Sequence, residues 1–268
     1  MTMLYRLLAV LVLALPVTAQ ADPAPPACAE HFLGGMMPDV SRNRAQKARQ
    51  LCFSEFALLH SGVTKTPIWS AEHLTSERVD AASGLPRKNP FHAEARLPAS
   101  DRAELADYKS ASDRFDRGHM SPNGDMPNAK AQRESFSLAN MIPQHPCNNE
   151  VLWAGIEDSV RKVTQEEDEV YVVTGPVYPR GGSPEQIGDG GVMVPEQIFK
   201  AIFVPSREEA GVYLTFNRDG DEVRTLSLQE LAALIDVDAF PTLSRSVKAT
   251  AMTMPPPGPP RFPCRLNR

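Results

Sequence analysis

The sequence predicts an α+β fold with a mixed or antiparallel central sheet and helices packed on it. Three observations carry this expectation. Apolar runs of strand length precede and follow the segments with helical periodicity, which is the order of a mixed α+β domain. The chain has 268 residues, enough for one large domain, and no internal repeat divides it. Its hydrophobic fraction is 42% and its charged fraction 23%, close to the roughly 45–50% and about 25% of ordinary globular proteins. Enough apolar surface is therefore available to bury a core.

The elements follow in chain order. Residues 1–21 read as a removed secretory signal: Arg6 gives a small positive start, residues 7–17 are apolar, and Ala19-Gln20-Ala21 is an A-x-A cleavage pattern. The apolar run is too short to span a bilayer comfortably, and no later run is longer. The protein is thus expected to be exported, to the periplasm or the medium, with no membrane attachment after cleavage. Residues 22–254 are expected to form one domain. Residues 22–27, rich in Pro and Ala, read as a flexible lead-in. Residues 41–53 read as a polar helix capped by Ser41. Residues 56–60 and 68–74 read as strands. Residues 83–115 lack periodicity and read as a long ordered loop, a length usually tied to function. Residues 128–138 and 149–165 read as helices, the second with Leu152, Ile156, Val160 and Val163 at helical spacing. Residues 170–174, 198–204 and 212–216 are apolar strands, the last two joined as a hairpin. Ser227 and Glu230 form a capping-box pattern before a helix over 228–235. Residues 255–263 contain six prolines in nine positions and must run extended. The segment 255–268 is therefore a Pro-rich tail.

Four cysteines, Cys28, Cys52, Cys147 and Cys264, in an exported chain imply two disulfides. Three connectivities are open. Cys28–Cys52 is favoured, tying the N-terminal segment to the helix expected after it. That leaves Cys147–Cys264 to pin the tail. No C-x-x-C pair is present, which argues against a cysteine zinc site.

The net charge is −5, from 28 Lys+Arg and 33 Asp+Glu, and loss of Arg6 with the signal leaves 27 against 33, or −6. This balance excludes coating of nucleic acid by bulk electrostatics. A polyanionic substrate would have to be met by a metal ion or by a few placed arginines.

The chemistry concentrates in Asp116-Arg117-Gly118-His119, followed by Met120-Ser121-Pro122, then Asn140-Met141-Ile142-Pro143-Gln144, and then Asn149, Trp153 and Glu157. The successive intervals Asn140 to Asn149, Asn149 to Trp153 and Trp153 to Glu157 are nine, four and four residues. This pattern resembles the DNA/RNA non-specific endonuclease family, the sugar-nonspecific ββα-metal nucleases. Residues 68–72, residues 172–178, Val194-Pro195 and Phe199-Lys200 extend the resemblance over roughly 50–220. After His119 the family often has Ala-Pro, and this chain has Met-Ser-Pro, one residue longer.

The resemblance implies a ββα-metal motif and a metal-dependent endonuclease that hydrolyses DNA and RNA and leaves a 5′-phosphate. His119 would be the general base, since a neutral imidazole is available near pH 7. Asn149 would be the metal ligand, its amide oxygen being a hard donor suited to Mg²⁺, with Mn²⁺ also possible. Read alone, Asn149 is a helix cap rather than a ligand. Glu157 shares a helix face with Asn149 about 12 Å along the axis, so it is assigned to the ion's waters. Arg87, 32 residues before His119, would hold a non-bridging phosphate oxygen, with Lys88 assisting. Arg117 would bind phosphate or brace the loop, Asp116 orient the turn, Gly118 permit a close backbone approach, and Asn140 fix the metal loop. Trp153 reads as packing beneath the site. His31, His60, His73, His92 and His145 read as structural or exposed.

Two rival readings remain at this level. One is a catalytically silent nucleic-acid-binding protein of the same fold, and the other is a phosphodiesterase for small substrates. A homodimer or a protein inhibitor is compatible with the sequence, which shows neither.

Overall fold

A computed structural model describes residues 22–42, 45–179, 181–260 and 263–267. The expected signal segment lies outside the described residues. A seven-stranded antiparallel sheet organises the chain. Its strands are β1 (Ala48–Cys52), β2 (Ala57–Ser61), β3 (Thr66–Thr75), β6 (Glu169–Val177), β7 (Gln197–Val204), β8 (Glu209–Phe216) and β9 (Val223–Leu226), in the spatial order β9-β8-β7-β6-β3-β2-β1. A separate antiparallel pair, β4 (Asp116–His119) and β5 (Met141–Gln144), stands apart from the sheet. The helices are α1 (Ser76–Ser83), α2 (Leu105–Lys109), α3 (Ala129–Ser135), α4 (Ala154–Glu167), α5 (Leu228–Ile235) and α6 (Arg245–Ala249). No helix among the described residues is long and apolar enough to cross a membrane.

Strand alternation divides the core between the two sheet faces. On β7, Ile198, Ile202 and Val204 join Trp153, Ile156, Val160 and Val163 of the α4 segment, with Met120 and Ile142 of the β4–β5 unit. Phe199, Ala201 and Phe203 point the other way, into a cluster with Phe32, Trp69, Leu231 and Ile235. Both faces are thus covered, and the strands read as near-continuous apolar runs. Each buried Ile or Val of α4 removes enough apolar surface to be worth about 1.5–3 kcal/mol. That packing fixes the helix that carries Glu157. At α5, Ser227 Oγ accepts from Glu230 N (3.2 Å), and the Glu230 carboxylate accepts from Ser227 N (2.7 Å), the reciprocal capping box expected.

Three expectations are corrected. The segment 41–53 is not a helix: 48–52 form the edge strand β1, paired with β2. Its burial alternates from exposed Arg49 to buried Leu51, and edge pairing outweighs the helix propensity of its Lys, Arg and Gln. The lead-in 22–27 is tied down: Ala24 N donates to Gly35 O (2.9 Å), and Pro23 bridges Met36. The loop 83–115 is irregular as expected but includes the short helix α2, held by a reciprocal cap between Glu104 and Asp107.

Both disulfides pair as favoured, Cys28–Cys52 and Cys147–Cys264. Among the described residues no cysteine is free. The proline tail runs without secondary structure over 251–260 and crosses α4. There Gly258 N donates to Gly155 O (2.8 Å), and Ser159 Oγ to Pro256 O (2.7 Å). A Cβ on Gly155 would lie 2.5 Å from Gly258 O, so the crossing requires glycine.

Candidate active site

The β4–β5 pair followed by α4 forms the ββα unit, and one cavity of about 740 Å³ opens beside it. His119, Arg87, Arg117, Asn149 and Glu157 all line it. Asn140 does not.

His119 ends β4 opposite Met141. Its ring packs edge-on against Phe136 (centroids 4.9 Å apart) and near Phe91 (5.9 Å). Nε2 is buried and has no hydrogen-bond partner. Burial, with the charges of Arg87 and Arg117, pushes the imidazole down to about 3, so it is neutral at pH 7. Both arginines rest on the same aromatic pair. The Arg87 guanidinium lies 5.6 Å from the Phe136 centroid and that of Arg117 4.0 Å from Phe91. Arg87 also donates to Asn89 Oδ1 (2.8 Å). Lys88 does not line the cavity.

Asn140 is fully buried, and its amide is saturated. Oδ1 accepts from Ser121 N (3.0 Å) and Ser70 Oγ (3.3 Å), and Nδ2 donates to Ser121 O (2.8 Å) and Ser135 O (3.0 Å). These bonds fasten the turn leaving His119, not the metal loop. The longer Met-Ser-Pro turn is accommodated because Met120 enters the core, fully buried.

Gly118 does make a close approach, to the neighbouring strand. A Cβ there would lie 2.6 Å from the Cβ of Gln144. Gln144 thereby reaches Asn148, donating from Nε2 to Oδ1 (2.7 Å), while Asn148 Nδ2 donates to Thr215 Oγ1 (3.2 Å) and Phe216 O (3.0 Å). Asn148 is thus consumed by structure and Asn149 is left for the cavity.

Asn149 is not a helix cap. A turn of π-helix spans Asn148–Trp153, its N-cap is Cys147, and no side chain caps it. Asn149 Nδ2 donates to Asp116 Oδ2 (3.0 Å). Among the described residues no donor reaches its Oδ1. π-Turns within helices recur at functional sites. Trp153 packs beneath, 1% exposed, with Lys200 Nζ 5.5 Å from its ring centroid.

Glu157 sits one α-turn from Arg161, whose Nη2 is 3.5 Å away. Burial pushes Glu157 up to about 7, against the opposing charges of Arg161 and Lys200. Arg161 also pairs with Asp125 and, at 2.7 Å, with Asp158.

The cavity offers a free amide oxygen beside the carboxylates of Asp116, Glu150 and Glu157. Among the described residues no cluster of three His, Cys, Asp or Glu side chains is placed to hold a metal. This donor set fits a hard divalent cation that keeps most of its waters.

Sequence reading missed Phe91, Phe136, Asp125 and Arg161. Arg161 was legible as the residue four after Glu157, but the rings and Asp125 carry no local signal. The remaining histidines are structural, as expected: His31 bonds Phe53 O, His60 bonds Asp101 O, His73 pairs with Glu169, and His92 bonds Pro90 O. His145 does not line the cavity.

A seven-stranded antiparallel sheet with a ββα unit facing a cleft of arginines, histidine and asparagine defines a ββα-metal nuclease fold. The sequence matches the DNA/RNA non-specific endonuclease family over residues 38–243, and the chain belongs to that family. It is 35% identical over 158 residues to Nuclease C1 of Cunninghamella echinulata var. echinulata, covering 55% of this chain and 62% of that protein. It is 29% identical over 255 residues to the mitochondrial nuclease EXOG of Homo sapiens, covering 81% of this chain and 66% of that one. The chain thus spans just under two thirds of the length of these relatives. Among solved structures it resembles one described as the EndoG/EndoGI complex, with TM-score 0.65 and 25% identity over 77% of this chain and 90% of the other.

Proposed function

We propose that this protein is a metal-dependent endonuclease that hydrolyses phosphodiester bonds of DNA and RNA, exported to the periplasm or the medium. The observation that carries the reading is the neutral imidazole of His119 lining the same cavity as the Asn149 amide.

A phosphodiester repels nucleophiles, so attack needs a deprotonated water, and a positioned base contributes roughly 10²–10⁴ in rate. His119 accepts the water's proton on the imidazole edge that lines the cavity. A proton acceptor works best with a pKa near the operating pH. The phosphodiester anion supplies that correction, because its charge offsets Arg87 and Arg117, two of the causes holding His119 down. The same arginines hold non-bridging oxygens and stabilise the charge that develops on them. Asn149, held by Asp116, would be the direct protein ligand of the ion, and Glu157 would orient its waters. A divalent cation bound there, Mg²⁺ or Mn²⁺, supplies charge neutralisation at the departing 3′ oxygen, and the product keeps a 5′-phosphate. Phosphate contacts position the backbone and carry no sequence information, so cleavage has weak sequence preference.

Purified protein lacking residues 1–21 is expected to degrade plasmid DNA and RNA with Mg²⁺, to stop with chelator, and to accept Mn²⁺ better than Zn²⁺. Binding without cleavage would establish a silent binder. Turnover of a chromogenic phosphodiester with intact plasmid would establish a small-substrate enzyme.

A further inference from the structure

The C-terminal tail lies beyond the family match, which ends at residue 243, yet it returns to the active site. Cys264 is bonded to Cys147, two residues before Asn149. The next residue, Arg265, enters the carboxylate cluster around Asn149. Its Nη2 lies 3.0 Å from Asp116 Oδ1, while the other oxygen of that carboxylate accepts from Asn149 Nδ2 at 3.0 Å. Arg265 N donates to Glu150 Oε2 (2.7 Å), its Nε lies 3.7 Å from Glu150 Oε1, and Nη2 also donates to Ser112 O (3.0 Å). Arg265 therefore ties down both β4, through its guanidinium and Asp116, and the π-turn, through its backbone N–H and Glu150.

We propose that Arg265 is a positioning residue for Asn149, acting through Asp116, and that the Cys147–Cys264 disulfide makes this positioning conditional on oxidation. The physics is that of a carboxylate between two partners. Asp116 can hold the Asn149 amide with Oδ1 facing the cavity only if its own rotamer is fixed. Arg265 fixes it from the far side by a charge-assisted bond. Arg265 is half-exposed, 32% at the side chain, and an exposed arginine at a chain terminus gains little from one ion pair. The disulfide removes that cost by holding the backbone of Arg265 in place, and the glycine crossing at Gly155–Gly258 guides the tail there. The reduced chain keeps its core but loosens the asparagine, so metal affinity follows disulfide formation. The inference rests on Asn149 being the metal ligand.

The test measures Mn²⁺ binding without nucleic acid, by electron paramagnetic resonance titration, alongside the half-saturating Mg²⁺ for plasmid cleavage. Partners of a ligand that sit one layer out typically change metal affinity 10–100-fold. Arg265→Ala should weaken Mn²⁺ binding at least about tenfold and raise half-saturating Mg²⁺ equally, with the rate at saturating metal largely kept. Cys147→Ser/Cys264→Ser should do the same, and Cys28→Ser/Cys52→Ser should not. Arg265→Ala should add little to Asp116→Asn, since both break one chain of contacts. If Asn149→Ala abolishes Mn²⁺ binding but Arg265→Ala binds as wild type, the inference falls and the ligand assignment stands. If Asn149→Ala binds Mn²⁺ normally, the ligand assignment itself falls. Should the Cys147/Cys264 variant unfold, Arg265→Ala alone decides.

Discussion

His119 and Glu157 line one cavity, and burial moves them in opposite directions, the histidine down to about 3 and the glutamate up to about 7. The two walls are built differently. The His119 wall is aromatic: Phe91 and Phe136 pack near the ring, and the Arg87 and Arg117 guanidinium groups lie over Phe136 and Phe91. The Glu157 wall is ionic, with Arg161 shared among Asp125, Glu157 and Asp158. On both walls the neutral form is favoured because a dry environment penalises charge. The consequences differ. A neutral imidazole is already the proton acceptor a general base must be. A carboxylate held up to about 7 ionises more readily beside an added positive charge, so the ionic wall is the one a metal ion would stabilise.

The largest test of this contrast is His119→Ala. Cleavage should fall at least about a hundredfold, while Mn²⁺ titration stays near wild type and thermal unfolding shows only the cost of the space left beside Phe91 and Phe136. Near-normal rates at saturating metal would remove His119 from the chemistry.

On the ionic wall, Arg161→Met should strand Asp125, Glu157 and Asp158 beside one another. Removing one member of a buried pair costs about 3–5 kcal/mol, and the low end applies because Arg161 is 17% exposed. Denaturant unfolding measures it. A change under about 1 kcal/mol would mean that hydration, not Arg161, compensates those carboxylates.

Glu157→Gln keeps shape and removes the ionisable oxygen. Metal affinity should weaken about tenfold, with the rate at saturating Mg²⁺ nearly retained. An unchanged half-saturating concentration would detach Glu157 from the ion's waters.

The smallest effects are in pH. His119 is depressed from 6.5 to about 3 in the fold. Between those values the unfolded chain binds a proton that the folded chain does not. Stability is full above 6.5 and is lost as pH falls. Glu157 is raised from 4.5 to about 7. The folded chain keeps a proton that the unfolded chain has released, so its contribution is full below 4.5 and is lost as pH rises through 7. Melting temperatures across pH 4–8 should therefore lose their acid-side fall in His119→Ala and their neutral-side fall in Glu157→Gln. Arg87→Met should move the acid limb of kcat/KM upward, since one of the charges depressing His119 is gone. An unmoved limb would assign it to another group.

Much of the site was legible because its residues are local. His119, Asn140, Asn149, Trp153 and Glu157 sit on one strand–turn–helix unit, where spacing in sequence is spacing in space. The strands at 170–174, 198–204 and 212–216 were legible as β-rich apolar runs, and α5 by its cap. The segment 48–52 was not, because its residues favour a helix when isolated and become a strand only by pairing with β2.

The sequence by itself determined the family, the central sheet's main strands, the disulfide candidates and the candidate site residues, since each depends on residue type and short-range order. Tertiary structure decided what those groups experience. The choice of Asn149 over Asn148 depends on Gln144 and Thr215 saturating the latter. The role of Asn140 depends on Ser70, Ser121 and Ser135. The pairing of Arg161 with Asp125 spans 36 residues, and the disulfide that carries Arg265 back to Asp116 spans 117. The depression of His119 follows from burial beside rings and arginines brought from three separate segments. Charge and dielectric act through space, and chain order does not encode those distances until the core has closed around them.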